Sequence, residues 1–200
     1  MTTFYLVRHA HCEAADKIIA GWTRGVHLTP EGRRQAAELA DYLSGISFEA
    51  VYSSPLQRAC DTAAEIVKRQ GIKVTVSDKW GEIRYGLWTG SAIKDLEADP
   101  DWRRYNHFRS GTRIPGGELF VEVQARAVAE ADRIRRAYPD GNVLIVSHSD
   151  VIKIVLAYYC GIPLDFLTRI EISLASISIL ELSENSAKVV QVNRRIVNSK

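Results

Sequence analysis

The sequence predicts an α/β fold, a three-layer sandwich in which helices cover both faces of a mostly parallel central sheet. Strand-like runs lie at 4–7, 50–53 and 143–146, and the first and last of them are wholly apolar, as expected of strands buried on both faces. Segments with apolar residues at helical spacing separate these strands. Strands that alternate with helices favour parallel pairing through right-handed crossovers.

The first half of the chain contains two predicted helices after the strand at 4–7. A threonine–proline pair at 29–30 is typical of a helix start, and Gly45 can end that helix. A serine–proline pair at 54–55 repeats this pattern after the second strand. The second helix then runs to a stop at Gly71, and 73–76 is a third candidate strand.

The second half begins with an irregular segment, residues 80–117, rich in glycine, proline, aromatic residues and arginine. We interpret it as a lid-like insertion with some helix, because long irregular stretches in compact domains are usually functional. The whole chain, 1–200, is then expected to form one domain. Further predicted elements are a helix at 118–138, the strand at 143–146, a helix at about 150–160, and strands at 171–182 and 187–192.

Composition indicates a soluble globular protein, with 46% apolar and 25% charged residues. A net charge of +2 is too small to suggest nucleic acid as a partner. The longest apolar stretch, 154–160, is too short to span a membrane. The three cysteines show no disulfide pattern, and a strand at 4–7 leaves no room for a signal peptide. We therefore expect a cytoplasmic protein with neither a nucleic-acid nor a membrane partner.

Basic side chains follow three of the predicted strands. Arg8 and His9 follow the first strand, Arg58 lies in the first turn of the helix after the second, and His148 follows the strand at 143–146. Ligands of open α/β sheets bind outside the carboxyl ends of the strands, so these side chains are expected to converge. Two arginines, two imidazoles and a helix N-terminus suit a small dianion such as phosphate.

Several segments carry a family resemblance. LVRHA, at 6–10, resembles the Arg-His-Gly motif of the histidine phosphatase superfamily, which has the phosphoglycerate-mutase-like fold. Other segments resemble the family in the same order along nearly the whole chain: GWTRGVHLTPEGRRQA, YSSPLQRACDTA, WGEIRYGLWTG, IPGGELFVEVQAR and VLIVSHSDVIK. The resemblance implies a phosphomonoester hydrolase that acts through a phosphohistidine intermediate.

The resemblance also implies roles for individual residues. His9 would be the nucleophile, and Glu82 matches the usual proton donor. Arg8, Arg58 and His148 would hold the transferring phosphoryl group, whose charge guanidinium and imidazole donors stabilise. This chemistry requires no metal and no organic cofactor. The expected partners are a small phosphorylated substrate and inorganic phosphate as the product.

The sequence departs from the family pattern at several positions. Ala10 replaces a common glycine, and His11 stands where Glu or Gln is frequent. The asparagine that usually helps to bind phosphate is absent from 14–16, which makes His11 a candidate replacement. Ser149 stands where glycine often follows the second histidine, and its backbone N–H can still face the phosphate.

Two other functions within this fold compete with phosphatase activity. The family's mutases usually carry an arginine directly after the acid, and Ile83 occupies that position here. This difference favours a phosphatase over a phosphoglycerate-type phosphomutase. A catalytically weak phosphate- or phosphopeptide-binding module is the other alternative. Such proteins normally lose the nucleophile or the acid, and His9 and Glu82 are both present.

Unrelated chemistries have weaker support. His9, His11 and Cys12 could contribute to a zinc site, but no other Cys or His cluster completes a ligand set. The segment 147–150 contains Ser, His and Asp, yet no G-x-S-x-G elbow is present. A thiol phosphatase loop needs arginine six residues after a cysteine, and those positions hold Ile18, Ile66 and Phe166.

Overall fold

A computed structural model of the protein describes residues 1–15, 17–68 and 70–196. Within these residues, six strands form one sheet, and each of them falls at a strand that the sequence predicts. The strands are β1 (Thr2–Arg8), β2 (Ala50–Ser53), β3 (Val74–Val76), β4 (Asn142–Ser147), β5 (Ser176–Leu182) and β6 (Ala187–Arg195).

The sheet is mixed but mostly parallel. Its strand order is β3-β2-β4-β1-β5-β6. The first four strands of the chain pair in parallel, whereas β5 runs antiparallel to β1 and β6 antiparallel to β5. Because β2, β4 and β1 are neighbours, their carboxyl ends lie side by side at one edge of the sheet.

Six helices and three short 3-10 turns connect the strands in the described residues. The helices are α1 (Pro30–Leu43), α2 (Gln57–Val67), α3 (Ile93–Leu96), α4 (Pro100–His107), α5 (Phe120–Ala137) and α6 (Ser149–Cys160). The 3-10 turns are Asp78–Trp80, Gly86–Trp88 and Leu164–Arg169.

The helices cover both faces of the sheet, which confirms the predicted three layers. On β1, Val7 packs in the core beneath α1 and α2. Its neighbour Leu6 points to the opposite face and packs in the core beneath α5 and α6. Successive strand side chains alternate between faces. Burial on both sides therefore explains why β1 and β4 are continuous apolar runs.

The first helix begins as predicted and the second does not. Thr29 caps α1, since its Oγ1 accepts a hydrogen bond from the Gly32 N–H at 3.1 Å. The pair at 54–55 does not begin α2, which starts at Gln57 and has Leu56 as its N-cap. The Ser54 hydroxyl is instead directed at another side chain, described below. The helix also ends at Val67, before the predicted stop.

The predicted lid is a packed helical segment. It contains α3, α4 and the turn Gly86–Trp88. Tyr105 of α4 lies 5.3 Å from Trp88 and 5.3 Å from Phe120, measured between ring centroids. The same ring stacks on Trp102 at 5.4 Å. These aromatic contacts anchor the segment to α5, which begins at Phe120.

Strand β5 is shorter than predicted, and strand β6 is longer. β5 begins at Ser176, because residues 171–175 form a loop rather than strand. Ala175 in this loop has a φ of 53°, and its N–H donates to the His9 carbonyl at 3.3 Å. The loop therefore closes over the end of β1. No helix in the described part of the chain is long and apolar enough to cross a membrane.

Candidate active site

A pocket of about 230 Å³ lies at the carboxyl ends of β1, β2 and β4. The predicted residues Arg8, His9, Arg58, Glu82 and Ser149 line it. His148 is not among the lining residues, but its fully buried ring packs edge-on against the ring of His9, with 5.2 Å between centroids. The structure thus brings together the side chains that the sequence places at three strand ends.

The His9 imidazole is held in one tautomer. Its Nδ1 lies 2.8 Å from the carbonyl oxygen of Ala10. Because a carbonyl only accepts hydrogen bonds, Nδ1 carries the proton and Nε2 keeps a free lone pair. Burial and the Arg58 charge lower the pKa of His9 well below that of an ordinary imidazole. His9 is therefore neutral at physiological pH, and its Nε2 is available as a nucleophile.

The two arginines have unused hydrogen-bond donors. Arg8 Nη1 donates to the carbonyl of Ile172 at 2.7 Å, and Arg58 Nη2 donates to that of Gly21 at 2.9 Å. Arg8 Nε and Arg58 Nη1 are buried and have no hydrogen-bond partner among the described residues. Buried donors without partners are costly, so these groups favour binding of an anion.

His148 is oriented by Ser54. The His148 Nε2 lies 2.7 Å from Ser54 Oγ, which also accepts a hydrogen bond from the Leu56 N–H at 3.3 Å. The other ring nitrogen, Nδ1, lies 3.5 Å from Arg58 Nη2 and 3.8 Å from Glu82 Oε2. Burial and Arg58 lower the pKa of His148 well below the ordinary value, so its contact with Glu82 is not an ion pair at neutral pH.

Ser54 is a site residue that the sequence reasoning missed. Its pair with proline predicts a helix cap. Yet Ser54 directly follows β2, just as Arg8 and His9 come at the end of β1 and His148 follows β4. The strand-end rule that located the other side chains also applies to this one.

Glu82 has the protonation behaviour of a general acid. One carboxyl oxygen accepts a hydrogen bond from the Ile83 N–H at 2.9 Å. Burial raises the pKa of Glu82 to about 7, with a further increase from the negative charge of Asp150. The charges of Arg58 and Arg8 oppose this shift but do not cancel it. Near neutral pH a large fraction of Glu82 therefore still carries its proton.

The backbone at Glu82 is fixed from two sides. Its carbonyl accepts hydrogen bonds from the indole N–H of Trp22 at 2.6 Å and from Arg126 Nη2 at 3.1 Å. Arg126 also forms an ion pair with Glu118 at 3.1 Å. These partners come from a loop and a helix far apart in sequence, and sequence reasoning did not identify them.

The start of α6 forms another part of the pocket. Ser149 and Asp150 occupy its first turn and line the cavity. First-turn N–H groups lack partners within the helix and favour anions. The Ser149 hydroxyl donates to the Ile172 carbonyl at 3.3 Å, so the Ser149 side chain and Arg8 share one carbonyl.

The structure does not bring His11 into the pocket. Its Nδ1 lies 2.8 Å from the Thr29 hydroxyl, and its backbone N–H donates to Gln35 Oε1 at 3.0 Å. These contacts turn His11 toward α1, and it is not among the residues that line the cavity. The phosphate-binding role expected for His11 therefore has no structural support. Among the described residues, no group of three or more His, Cys, Asp or Glu side chains could hold a metal ion.

A larger groove, of about 650 Å³, lies between α5, α6 and the β5–β6 hairpin. It contains none of the residues predicted for the site. Its ionisable lining includes Asp132 and Arg135, which form an ion pair with each other at 2.7 Å. The smaller pocket is the one lined by arginines with unpaired buried donors, so it is the candidate active site.

Comparison with known proteins agrees with this geometry. The sequence profile of the histidine phosphatase superfamily (branch 1) matches residues 4–195. The chain belongs to this superfamily. Several of the related proteins and solved structures are named as phosphatases.

The first is a bifunctional protein of Mycobacterium tuberculosis (strain H37Rv), 34% identical over 195 residues, which are 96% of this chain and 53% of that protein. The chain spans about half the length of the mycobacterial relatives it matches. Phosphoserine phosphatase 1 of Hydrogenobacter thermophilus is 28% identical over 198 residues, covering 96% of this chain and 92% of that protein. The solved structure of Bacillus stearothermophilus YhfR has a TM-score of 0.89 and 28% identity, and covers 96% of each chain.

Proposed function

We propose that this protein is a metal-independent phosphomonoester hydrolase, with His9 as the nucleophile and Glu82 as the proton donor. The observation that carries the proposal is the His9 ring. Its Nδ1 proton is bound by the Ala10 carbonyl, which leaves a neutral Nε2 beside two arginines with unused donors. A neutral nucleophile next to an anion-binding site is what phosphoryl transfer to histidine requires.

The first step forms a phosphohistidine. His9 Nε2 attacks phosphorus, and the bond from phosphorus to the leaving oxygen breaks. Glu82 gives its proton to that oxygen, so that an alcohol leaves rather than an alkoxide. Arg8, Arg58, His148 and the first turn of α6 stabilise the charge that spreads over the other phosphoryl oxygens.

The second step returns the enzyme to its starting state. Glu82, now a carboxylate, takes a proton from a water molecule that attacks phosphorus. The bond between phosphorus and His9 Nε2 breaks, and inorganic phosphate is released. His9 is again neutral, and Glu82 is again protonated. The reaction consumes one water and needs no metal or organic cofactor.

Hydrolysis is favoured over phosphomutase activity. Ile83, which stands where the mutases usually carry arginine, is fully buried in the apolar core and supplies no cation to the pocket. The relative from Hydrogenobacter thermophilus is named as a phosphatase, which agrees with this choice. A weak binding module has less support, since both His9 and Glu82 are present and are placed beside the unpaired donors.

Wider features of the protein belong to the same proposal. We propose that residues 1–200 form one domain, in which the segment 80–117 bounds the substrate pocket. A small phosphorylated substrate and inorganic phosphate are its partners, without nucleic acid or membrane. A cytoplasmic location is supported by three cysteines that are all free.

The substitution Glu82→Gln tests the proposed acid. It should slow hydrolysis of an alkyl phosphate by roughly 10²–10⁴-fold, because an alkoxide leaves poorly without a proton. Hydrolysis of para-nitrophenyl phosphate should fall far less, since nitrophenolate is already a stable anion. The measurement is kcat/KM for both substrates, with phosphate release as the readout.

Glu13→Gln is the matched control, because Glu13 is an exposed glutamate in the loop after β1. This variant should behave like the wild type on both substrates. Equal losses on the two substrates with Glu82→Gln would contradict the role as acid in the first step. A selective loss with Glu13→Gln would move the acid to that residue.

A further inference from the structure

Beyond the phosphoryl-binding residues, the wall of the pocket is mostly apolar. Ile93, at the start of α3, is 41% exposed and lies at the rim. Trp102 of α4 and the ring of Tyr85 contribute aromatic surface. The apolar and aromatic lining residues are Cys12, Ala14, Ala15, Ile18, Ile19, Ala20, Tyr85, Ile93 and Trp102. A leaving group in this space would contact hydrocarbon over most of its surface.

The charged groups of the wall are unevenly distributed. Among the described residues, the cations that line the pocket are Arg8 and Arg58, and both are used by the phosphoryl group in the proposed mechanism. The acidic lining residues are Asp150 and Glu82, of which Glu82 carries its proton in the proposed mechanism. A second anionic group on the substrate would therefore face acids without a cation of its own.

Three cations near the wall are already engaged, two of them by Asp150. Arg109 Nη1 lies 3.9 Å from Asp150 Oδ2, and Lys153 Nζ lies 3.8 Å from Asp150 Oδ1. The guanidinium of Arg84 stacks on the ring of Trp22, 3.8 Å from its centroid. None of these three cations is among the residues that line the pocket.

We propose that this wall selects phosphomonoesters whose leaving group is apolar and uncharged or cationic, and that it rejects leaving groups bearing a carboxylate. The proposal rests on the proposed phosphatase function, because it concerns the group released in the same pocket. Moving a carboxylate from water to an apolar wall is costly unless a cation pairs with it. Asp150 adds repulsion to that cost, whereas it attracts a cationic substituent.

Three substrates of closely similar size test this selectivity: benzyl phosphate, 4-carboxybenzyl phosphate and 4-(aminomethyl)benzyl phosphate. Each releases a benzylic alcohol, so the bond that breaks is the same. We expect kcat/KM for benzyl phosphate to exceed that for the carboxylated ester by at least roughly tenfold, consistent with the cost of an unpaired buried charge. The aminomethyl ester should not be disfavoured.

A second pair of substrates tests the effect of the carboxylate without an aromatic ring. Phosphoserine and phosphoethanolamine differ by one carboxylate, and both carry an ammonium group. Phosphoethanolamine should be the better substrate. The same value of kcat/KM for both, or a preference for phosphoserine, would contradict the proposal.

The variant Ile93→Lys places a cation at the rim, and Ile93→Gln is the matched polar variant without charge. Ile93→Lys should narrow the difference between benzyl and 4-carboxybenzyl phosphate, and Ile93→Gln should not. The readout is the ratio of kcat/KM for benzyl phosphate to kcat/KM for 4-carboxybenzyl phosphate within each variant. A change in the folded fraction of a variant affects both values equally and cancels. An unchanged ratio in Ile93→Lys would overturn the proposal for this rim.

The outcomes distinguish this inference from the proposed function. If the wild type hydrolyses benzyl and 4-carboxybenzyl phosphate equally well, phosphatase activity stands and the selectivity is wrong. If the wild type releases phosphate neither from any of the five esters nor from para-nitrophenyl phosphate, the proposed function fails and the selectivity fails with it.

Discussion

At the level of single residues, the pKa values of Glu82 and His9 shift in opposite directions although the two side chains share one pocket. Burial disfavours the charged form of each group, which raises the pKa of the carboxyl to about 7 and lowers that of the imidazole. The positive charge of Arg58 reinforces the shift of His9 and opposes that of Glu82. Asp150 is the group that adds to the shift of Glu82. One pocket can therefore hold a neutral base and a neutral acid together.

This arrangement predicts the pH dependence of the reaction. The acid must be protonated for an alkyl phosphate, so kcat/KM should fall as pH rises through about 7. Asp150→Asn removes a negative charge that disfavours ionised Glu82, so the pKa of Glu82 should fall and the descending limb should move to lower pH. A pH profile with an alkyl phosphate measures this shift.

Asp132→Asn is a suitable control, since Asp132 lies on α5 and forms ion pairs with Arg135 and Arg136 outside the site. It should leave the limb in place. With para-nitrophenyl phosphate the limb should be weak in every variant. A limb that stays near 7 in Asp150→Asn would show that Asp150 does not act on the acid.

The sequence predicts individual site residues unevenly. Arg8, His9 and His148 can be located because they stand at strand ends, and Arg58 because it lies in the first turn of the helix after β2. The contribution of Asp150 to the pKa of Glu82 depends on the distance between the first turn of α6 and the segment that carries Glu82, which sequence spacing does not reveal.

At the scale of elements, the loop after β1 packs tightly against the first turn of α1. A Cβ added at Gly32 would lie 1.9 Å from the carbonyl oxygen of His11. The Thr29 N–H also donates to that carbonyl, at 3.1 Å. The loop that carries His9 is therefore held in place by contact with a helix backbone.

Gly32→Ala should consequently destabilise the protein although alanine is the better helix former. Alanine normally stabilises a helix by about 1 kcal/mol relative to glycine at an interior position. The backbone clash should outweigh this and leave a net loss of about 1–3 kcal/mol in the free energy of unfolding. Activity should fall as well, because the loop after His9 has to shift. Urea unfolding and kcat/KM are the measurements.

Gly45→Ala is the control, because a Cβ at Gly45 meets nothing within 4 Å. It should be neutral or slightly stabilising, with normal activity. A stable and active Gly32→Ala variant would mean that the contact between the loop and α1 is looser than the structure indicates.

Element boundaries show why some predictions failed. The threonine of the pair at 29–30 caps α1. The serine of the similar pair at 54–55 contacts His148 instead, and α2 begins two residues after the proline. Local sequence indicates a hydroxyl near a helix start in both cases. Only the tertiary partner decides which acceptor or donor that hydroxyl uses.

At the scale of the whole molecule, the strand order creates the site. β2, β4 and β1 are adjacent in the sheet although they are distant in sequence. The sequence predicts a parallel sheet and hence a shared edge, but not which strands are neighbours. That order follows from how the helices pack on the two faces, which depends on contacts over the whole chain.

Because the sheet and the helix ends hold the donors in place, phosphate should bind without a large rearrangement. Inorganic phosphate or vanadate should raise the Tm, because ligand at a hundredfold excess over its Kd adds about 2.7 kcal/mol to the free energy of unfolding. Arg8→Gln should remove most of this effect. EDTA should change neither the Tm shift nor the activity. Differential scanning calorimetry with and without ligand measures it.

Arg34→Gln serves as the control, since Arg34 is an exposed arginine of α1 that pairs with Glu31 and Glu38. The phosphate effect should persist in this variant. A complete loss of activity on chelation, restored by zinc, would contradict the metal-free account.

The proposed mechanism requires that His9 carries the phosphoryl group, and a rapid quench during turnover of a radiolabelled phosphomonoester should trap that intermediate. We expect a labelled protein whose bond is stable to base and labile to acid, as phosphohistidine is. His9→Ala should abolish the labelling and the turnover, and His11→Ala should retain both, since His11 faces α1. Label that persists in His9→Ala, or near-normal phosphate release by that variant, would show that His9 is not the nucleophile.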